Sequence, residues 1–119
     1  MNWYLAKVVY RIICGEGNHT AQFDEQLRLV TAANEGLAFA KATAIGMQEA
    51  EVFFNHQQQL VQWKFIGIAE LYCVDKLMDG AEVYSQIKEA GDAEAYCRFI
   101  LHKRDLLREK QNFPTFQTA

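Results

Sequence analysis

From Trp3 to Cys14 the chain alternates with the two-residue period of a β-strand. Tyr4, Ala6, Val8, Tyr10, Ile12 and Cys14 line one side; Trp3, Leu5, Lys7, Val9, Arg11 and Ile13 line a mixed one. GEGNH supplies turn residues. Alternation then resumes over 19–32, with Ala21, Phe23, Leu27 and Leu29 on one side and Thr20, Gln22, Asp24, Gln26 and Arg28 on the other. A hairpin folded about Glu16–Gly17 sets Tyr10 opposite Phe23 and Ala6 opposite Leu27, so that the two apolar sides coincide. The run LVQWKFIGIAELYCV at Leu60–Val74 behaves differently. It is apolar at both parities and rich in β-branched and aromatic residues, which predicts a central strand covered on both faces. Gly67 in its middle predicts a bulge or a bend. AEVFFN and the HQQQ turn complete a second hairpin with this strand, placing Glu51 near Lys64. MDGA then turns the chain into a fifth strand over Ala81–Ile87.

Two segments have helical character instead. Asn34 is a good N-cap, Glu35 suits the positive end of a helix, and LAFAKATAI is helix-prone up to Gly46. Its Ala38, Ala42 and Ile45 form a small-residue stripe able to lie close against a sheet. Asp92 caps a last helix over 93–110 with an apolar stripe of Ala93, Tyr96, Phe99, Ile100 and Leu107. The order ββαβββα predicts an α+β fold with a mainly antiparallel, curved sheet of about five strands and two helices. Residues 1–110 read as a single domain and 111–119 as an irregular C-terminal tail.

Composition narrows the class further. The 119 residues are 50% hydrophobic and 13% aromatic with one proline, enough for a proper core without metals or disulfides. A net charge of −3 and a pI near 5.6 leave no footprint for nucleic acid or an anionic membrane. Cys14, Cys73 and Cys97 are odd in number, far apart and without CxxC spacing, which fits buried thiols in a reducing cytoplasm. No run approaches the roughly 18 apolar residues of a membrane span, and MNWYLAKVVYR lacks the layout of a signal peptide.

Five blocks carry a likeness to a family: WYLAK at 3–7, FDEQLRLVTA at 23–32, FFN at 53–55, VQWKFIG at 61–67 and DGAEVYS at 79–85. In this order, over roughly residues 3–87, the chain resembles a bacterial family, domain of unknown function 4288. The resemblance implies a small bacterial protein without an assigned activity, and it hands over no catalytic residue.

The candidate chemistry is therefore read from the residues alone. Glu25 shares a predicted face with Phe23 and Leu27, where a carboxylate needs a partner or a shifted pKa. It is a candidate ligand-binding carboxylate or general base; the plainer alternative is that it sits at a sheet edge or pairs with an Arg or Lys from a neighbouring element. Pairing the long strand with the fifth sets Tyr72 opposite Glu82 and Glu70 opposite Tyr84, a checkerboard suited to acid–base work but also ordinary on a solvated sheet. His19, His56 and His102 have no ligand at metal spacing, so no metal or cofactor is expected. The basic cluster Arg98, His102, Lys103, Arg104, Arg108 and Lys110 is interrupted by Asp105 and Glu109 and suits the negative end of a helix. Trp3, Leu5, Val9 and Ile13 point away from the first strand's core side, and two short helices cannot cover both faces of five strands. A homodimer covers the remainder, or the sheet curls on itself. The sequence thus predicts a cytoplasmic, self-associating, non-catalytic interaction or ligand-binding module. The alternative is a small enzyme using Glu25, or Glu70 and Glu82 with Tyr72 and Tyr84.

Overall fold

The computed structural model describes residues 1–111; of the tail predicted at 111–119, Gln111 ends the last helix and the rest lies outside the described residues. Contacts divide the chain into two units, Met1–Ser85 and one beginning at Gln86. The first holds β1 (Asn2–Cys14), β2 (Gln22–Ala32), α1 (Glu35–Gln48), β3 (Glu51–Phe54) and β4 (Leu60–Val74). The second holds α2 (Ala93–Gln111). The fold is α+β, with an antiparallel, curved sheet in the order β2-β1-β4-β3.

β1 is central because its even positions are apolar without interruption. Tyr4, Ala6, Val8 and Tyr10 are buried, and α1 lies over this side with Ala38 and Ala42 fully enclosed and Ile45 packed beside them. Asn34 caps α1 as predicted: its Oδ1 accepts from Leu37 N at 2.9 Å. The small-residue stripe brings the helix axis close to the sheet. Gly46 lies inside α1 rather than ending it, and a β-carbon there would overlap the Phe65 ring. Tyr10 Oη donates to the Gly46 carbonyl at 2.8 Å, tying the last turn of α1 to β1.

Gly67 marks an irregular stretch, as expected. Lys7 faces Glu70 but Val8 faces Ile68, and Val9 faces Gly67 but Tyr10 faces Phe65, so β4 carries one extra residue on each side of Ile68–Gly67. Each extra residue bends the strand and raises its twist. β4 is an interior strand, yet Ile66 and Tyr72 remain exposed, so its two-sided cover is incomplete.

Three details depart from the sequence reading. The first hairpin is centred on Gly17, which has φ 82°, and not on Glu16–Gly17. Tyr10 therefore faces Asp24 and Ala6 faces Arg28. A slip of one residue turns a whole strand over, so Phe23, Leu27 and Leu29 lie on the side away from α1. In the second hairpin Glu51 faces Trp63 rather than Lys64. Residues 81–87 form no strand: beyond Met78–Ala81, where Gly80 takes φ 84°, the chain meets β4 through side chains, with Tyr84 edge-on to Tyr72 at 5.4 Å between ring centroids.

In the second unit, Asp92 caps α2 as predicted, its Oδ1 accepting from Ala95 N at 3.1 Å. Tyr96, Phe99, Ile100 and Leu107 of its apolar stripe are exposed. Among the described residues, no helix is long and apolar enough to cross a membrane.

Candidate functional site

The side of the sheet opposite α1 collects most of the charged candidates. On β1, Lys7 points to this side between Leu27 of β2 and Glu70 of β4, while Val9 faces Glu25. Lys7 Nζ reaches Glu70 Oε2 at 3.2 Å and Glu25 Oε1 at 3.5 Å, so two of the candidate carboxylates share one ammonium. Glu70 Oε2 is enclosed and receives no directed hydrogen bond; its contact with Lys7 is ionic. The short-range contact with Glu70 raises the Lys7 pKa above its ordinary 10.5; burial opposes this shift, and the charge on Glu25 adds to it. Lys7 is held as a cation, not as a base. Glu25 is the looser partner of Lys7, with 60% of its side chain exposed.

Tyr72 follows Glu70 on this side. Its phenol is pushed above its ordinary pKa of 10.0, first by burial and then by the neighbouring Glu70 charge and by Tyr84. Tyr72, Glu82 and Tyr84 line one open cleft of about 640 Å³ with Cys73, Asp75, Lys76 and Ser85. The predicted checkerboard of Glu70, Tyr72, Glu82 and Tyr84 is therefore divided: Glu70 joins Lys7 and Glu25 on the strands, while Tyr72 of β4 shares a cleft with Glu82 and Tyr84 of the returning segment.

A third group was not read from the sequence. On the α1 side of β2, Arg28 Nε donates to Gln26 Oε1 at 2.9 Å, and Gln26 Nε2 donates to Asp24 Oδ2 at 2.5 Å. Gln26 and Arg28 line a cleft of about 240 Å³ with Tyr10, Glu49, Glu51, Phe53 and Trp63. Burial raises the Tyr10 pKa; the Arg28 charge opposes the shift, and Glu49 and Asp24 reinforce it. The alternation of β2 holds the signal for this ladder, but the slipped register assigned those residues to the solvated side.

The interface candidates divide. Trp3 is 38% exposed, Val9 and Ile13 are half-buried, and Leu5 is buried within its own unit, on the side to which Tyr84 draws the returning segment. β2 adds Phe23, Leu27 and Leu29, all exposed on that same side. His19 closes the first hairpin: its Nε2 accepts from Cys14 N at 3.1 Å, and its Nδ1 lies 2.8 Å from the Thr20 carbonyl. Cys73 and Cys97 are exposed rather than buried, Cys14 is half-buried, and all three are free thiols.

Chemically, the strands present an ion cluster in which Lys7 bridges two carboxylates, flanked by apolar side chains. The family model described as Domain of unknown function (DUF4288) matches residues 3–85, and the chain belongs to that family. No curated protein and no solved structure matches the chain.

Proposed function

We propose that this DUF4288 member is a non-catalytic interaction module that self-associates, acting in the cytoplasm of a bacterium. One observation carries the reading. β2 is an edge strand, and on its side away from α1 Phe23, Leu27 and Leu29 are 56%, 51% and 44% exposed. A row of large apolar side chains on an open edge invites pairing and is normally covered. A second copy is the occupant that β2 itself supplies, since an isologous contact needs only a surface that fits itself. The bridging of Glu25 and Glu70 by Lys7 supports a structural role for these charges, and the three free thiols suit a reducing compartment. Light scattering at micromolar concentration is expected to give about twice the 13.7 kDa chain mass. Leu27→Glu is expected to return it to the mass of one chain, and a parent protein that stays monomeric across a concentration series overturns the proposal.

One observation favours the alternative, a small enzyme. Tyr72, Tyr84 and Glu82 share a cleft large enough for a small ligand. The raised pKa of Tyr72 keeps its phenol protonated near neutral pH, so it would act there as a donor. A thermal-shift screen of small acids, sugars and nucleotides tests this reading. Binding lost in Tyr72→Phe and Glu82→Gln favours it, and the absence of any stabilising compound removes its support.

A further inference from the structure

We infer that self-association joins two β2 strands edge to edge and antiparallel, across a two-fold axis through Gln26, so that the sheet of one copy continues into the sheet of the other. The inference rests on the proposed self-association and adds its element and register. β2 has β1 on one side and, among the described residues, no strand on the other. Residues directly opposite one another in a sheet share a face, so a symmetric pairing of two copies must centre on a single residue.

Charge selects among the possible centres. Centring on Asp24, Glu25 or Arg28 sets a charge against its own copy, which is destabilising. Centring on Leu27 leaves Asp24 opposite Val30 and Arg28 opposite Gln26, with no complementary charge pair. Centring on Gln26 sets Asp24 of each copy opposite Arg28 of the other, giving two complementary pairs, with the uncharged Gln26 side chains meeting at the axis. On the opposite face the same register sets Phe23 against Leu29 and Glu25 against Leu27, each twice, so Phe23 and Leu29 pack in cross-strand contact along the seam. The Asp24–Arg28 pairs on one face and the Phe23–Leu29 pairs on the other favour this register, with Glu25 held by Lys7 of its own chain.

The local structure also suits this pairing. The Asp24–Gln26–Arg28 ladder already aligns these side chains along one side of β2. The pairing would run from Gln22 to Val30. One residue beyond, Lys41 Nζ donates to the Thr31 carbonyl at 2.9 Å and closes the end of the edge.

Two sets of variants in the full chain test the register. Opposed residues across an antiparallel pair have Cα atoms about 4.5–5.5 Å apart, within disulfide range. Gln26→Cys is therefore expected to form a covalent dimer under mild oxidation, at a rate well above that of the parent with its native cysteines. Asp24→Arg and Arg28→Asp are each expected to weaken the dimer by about tenfold or more, because two attractive pairs become repulsive. The double reversal is expected to bring the dissociation constant back to within a few-fold of the parent. Far-UV circular dichroism of each variant separates loss of pairing from loss of folding; if a single reversal unfolds, the Gln26→Cys result decides. A dimer that persists while Gln26→Cys fails to cross-link and the reversals have no effect overturns the β2 register but leaves self-association standing. A parent chain that is monomeric throughout removes both.

Discussion

Replacing Gly46 by alanine tests the closest approach in the fold. In an ordinary helix the substitution is favourable by about 0.8–1.0 kcal/mol, since glycine has the more flexible backbone. Here the new methyl would overlap the Phe65 ring, and forcing a group into a packed site costs about 1–3 kcal/mol. The same residue's carbonyl accepts the Tyr10 hydroxyl, and loosening that bond costs about a further 1 kcal/mol. Crowding outweighs propensity, so Gly46→Ala is expected to destabilise the protein by about 1–3 kcal/mol. Urea denaturation followed by far-UV circular dichroism measures this as a lower midpoint at unchanged slope. Phe65→Leu supplies the control. With the ring gone, Gly46→Ala should be neutral or stabilising by up to about 1 kcal/mol, which makes the pair non-additive. A Gly46→Ala protein as stable as its parent, with additive effects in the pair, would refute the claim that this glycine exists for helix–sheet contact.

Four further outcomes follow from individual contacts. Tyr10→Phe leaves the enclosed Gly46 carbonyl without its donor and is expected to cost about 1–3 kcal/mol in the same urea assay; an unchanged midpoint would mean that water replaces the hydroxyl. Lys7, Tyr10 and Tyr72 have folded-state pKa values above their ordinary 10.5, 10.0 and 10.0. The native state therefore holds more protons in alkali than the unfolded chain, so stability is intact below about pH 10 and falls as pH rises further; a midpoint that stays flat there contradicts these shifts. Gly67 has space around it and no positive φ, so Gly67→Val is expected to change stability by no more than about 0.5 kcal/mol, and a larger loss would show that the bend itself requires glycine. Glu70→Gln is expected to lower the Lys7 pKa more than Glu25→Gln does, because Glu70 is the closer and more enclosed partner; the reverse order in an NMR titration of the Lys7 ammonium would reverse their roles.

Features written in local chemistry were legible in the sequence. Asn34 and Asp92 are caps because a short polar side chain can reach a free helical N–H three residues on, which needs no tertiary information. The irregularity at Gly67 was likewise marked by the one missing side chain in a run of large ones. What could not be read depends on contacts between distant segments. Gly46 looked like a helix terminator because its constraint comes from Phe65, on another element. Residues 81–85 alternate as a strand should, yet they meet β4 through Tyr84 and Tyr72 rather than through a backbone ladder. Alternation records which side chains share a side and carries no information about what the backbone bonds to. The carboxylates followed the same division. Glu25 was legible as a carboxylate needing a partner or a shifted pKa, but Lys7 and its second partner, Glu70, come together only once β1 lies between β2 and β4.

The one-residue difference in the first hairpin has the widest consequence. Matching the apolar side of one strand to the apolar side of the next is a sound guide when a single core takes both. On β1 that holds, since α1 covers Tyr4, Ala6, Val8 and Tyr10. On β2 it fails, because a turn centred on Gly17 sends Asp24, Gln26 and Arg28 to the α1 side and Phe23, Leu27 and Leu29 to the other. The polar set forms an ordered ladder, and the apolar set forms a row interrupted by Glu25, which pairs with Lys7. Under the proposed self-association, the apolar side of β2 is where a second copy would make contact. That asymmetry is why β2, rather than β1 with its predicted Trp3, Leu5, Val9 and Ile13, is the edge on which self-association should be sought. Leu27→Glu places a charge in the middle of the row while leaving the α1 side untouched. It is therefore expected to abolish the dimer with little change in the urea midpoint extrapolated to low protein concentration. A variant that loses stability and association together would show that Leu27 serves the fold of a single chain, and the case for β2 would fall with it.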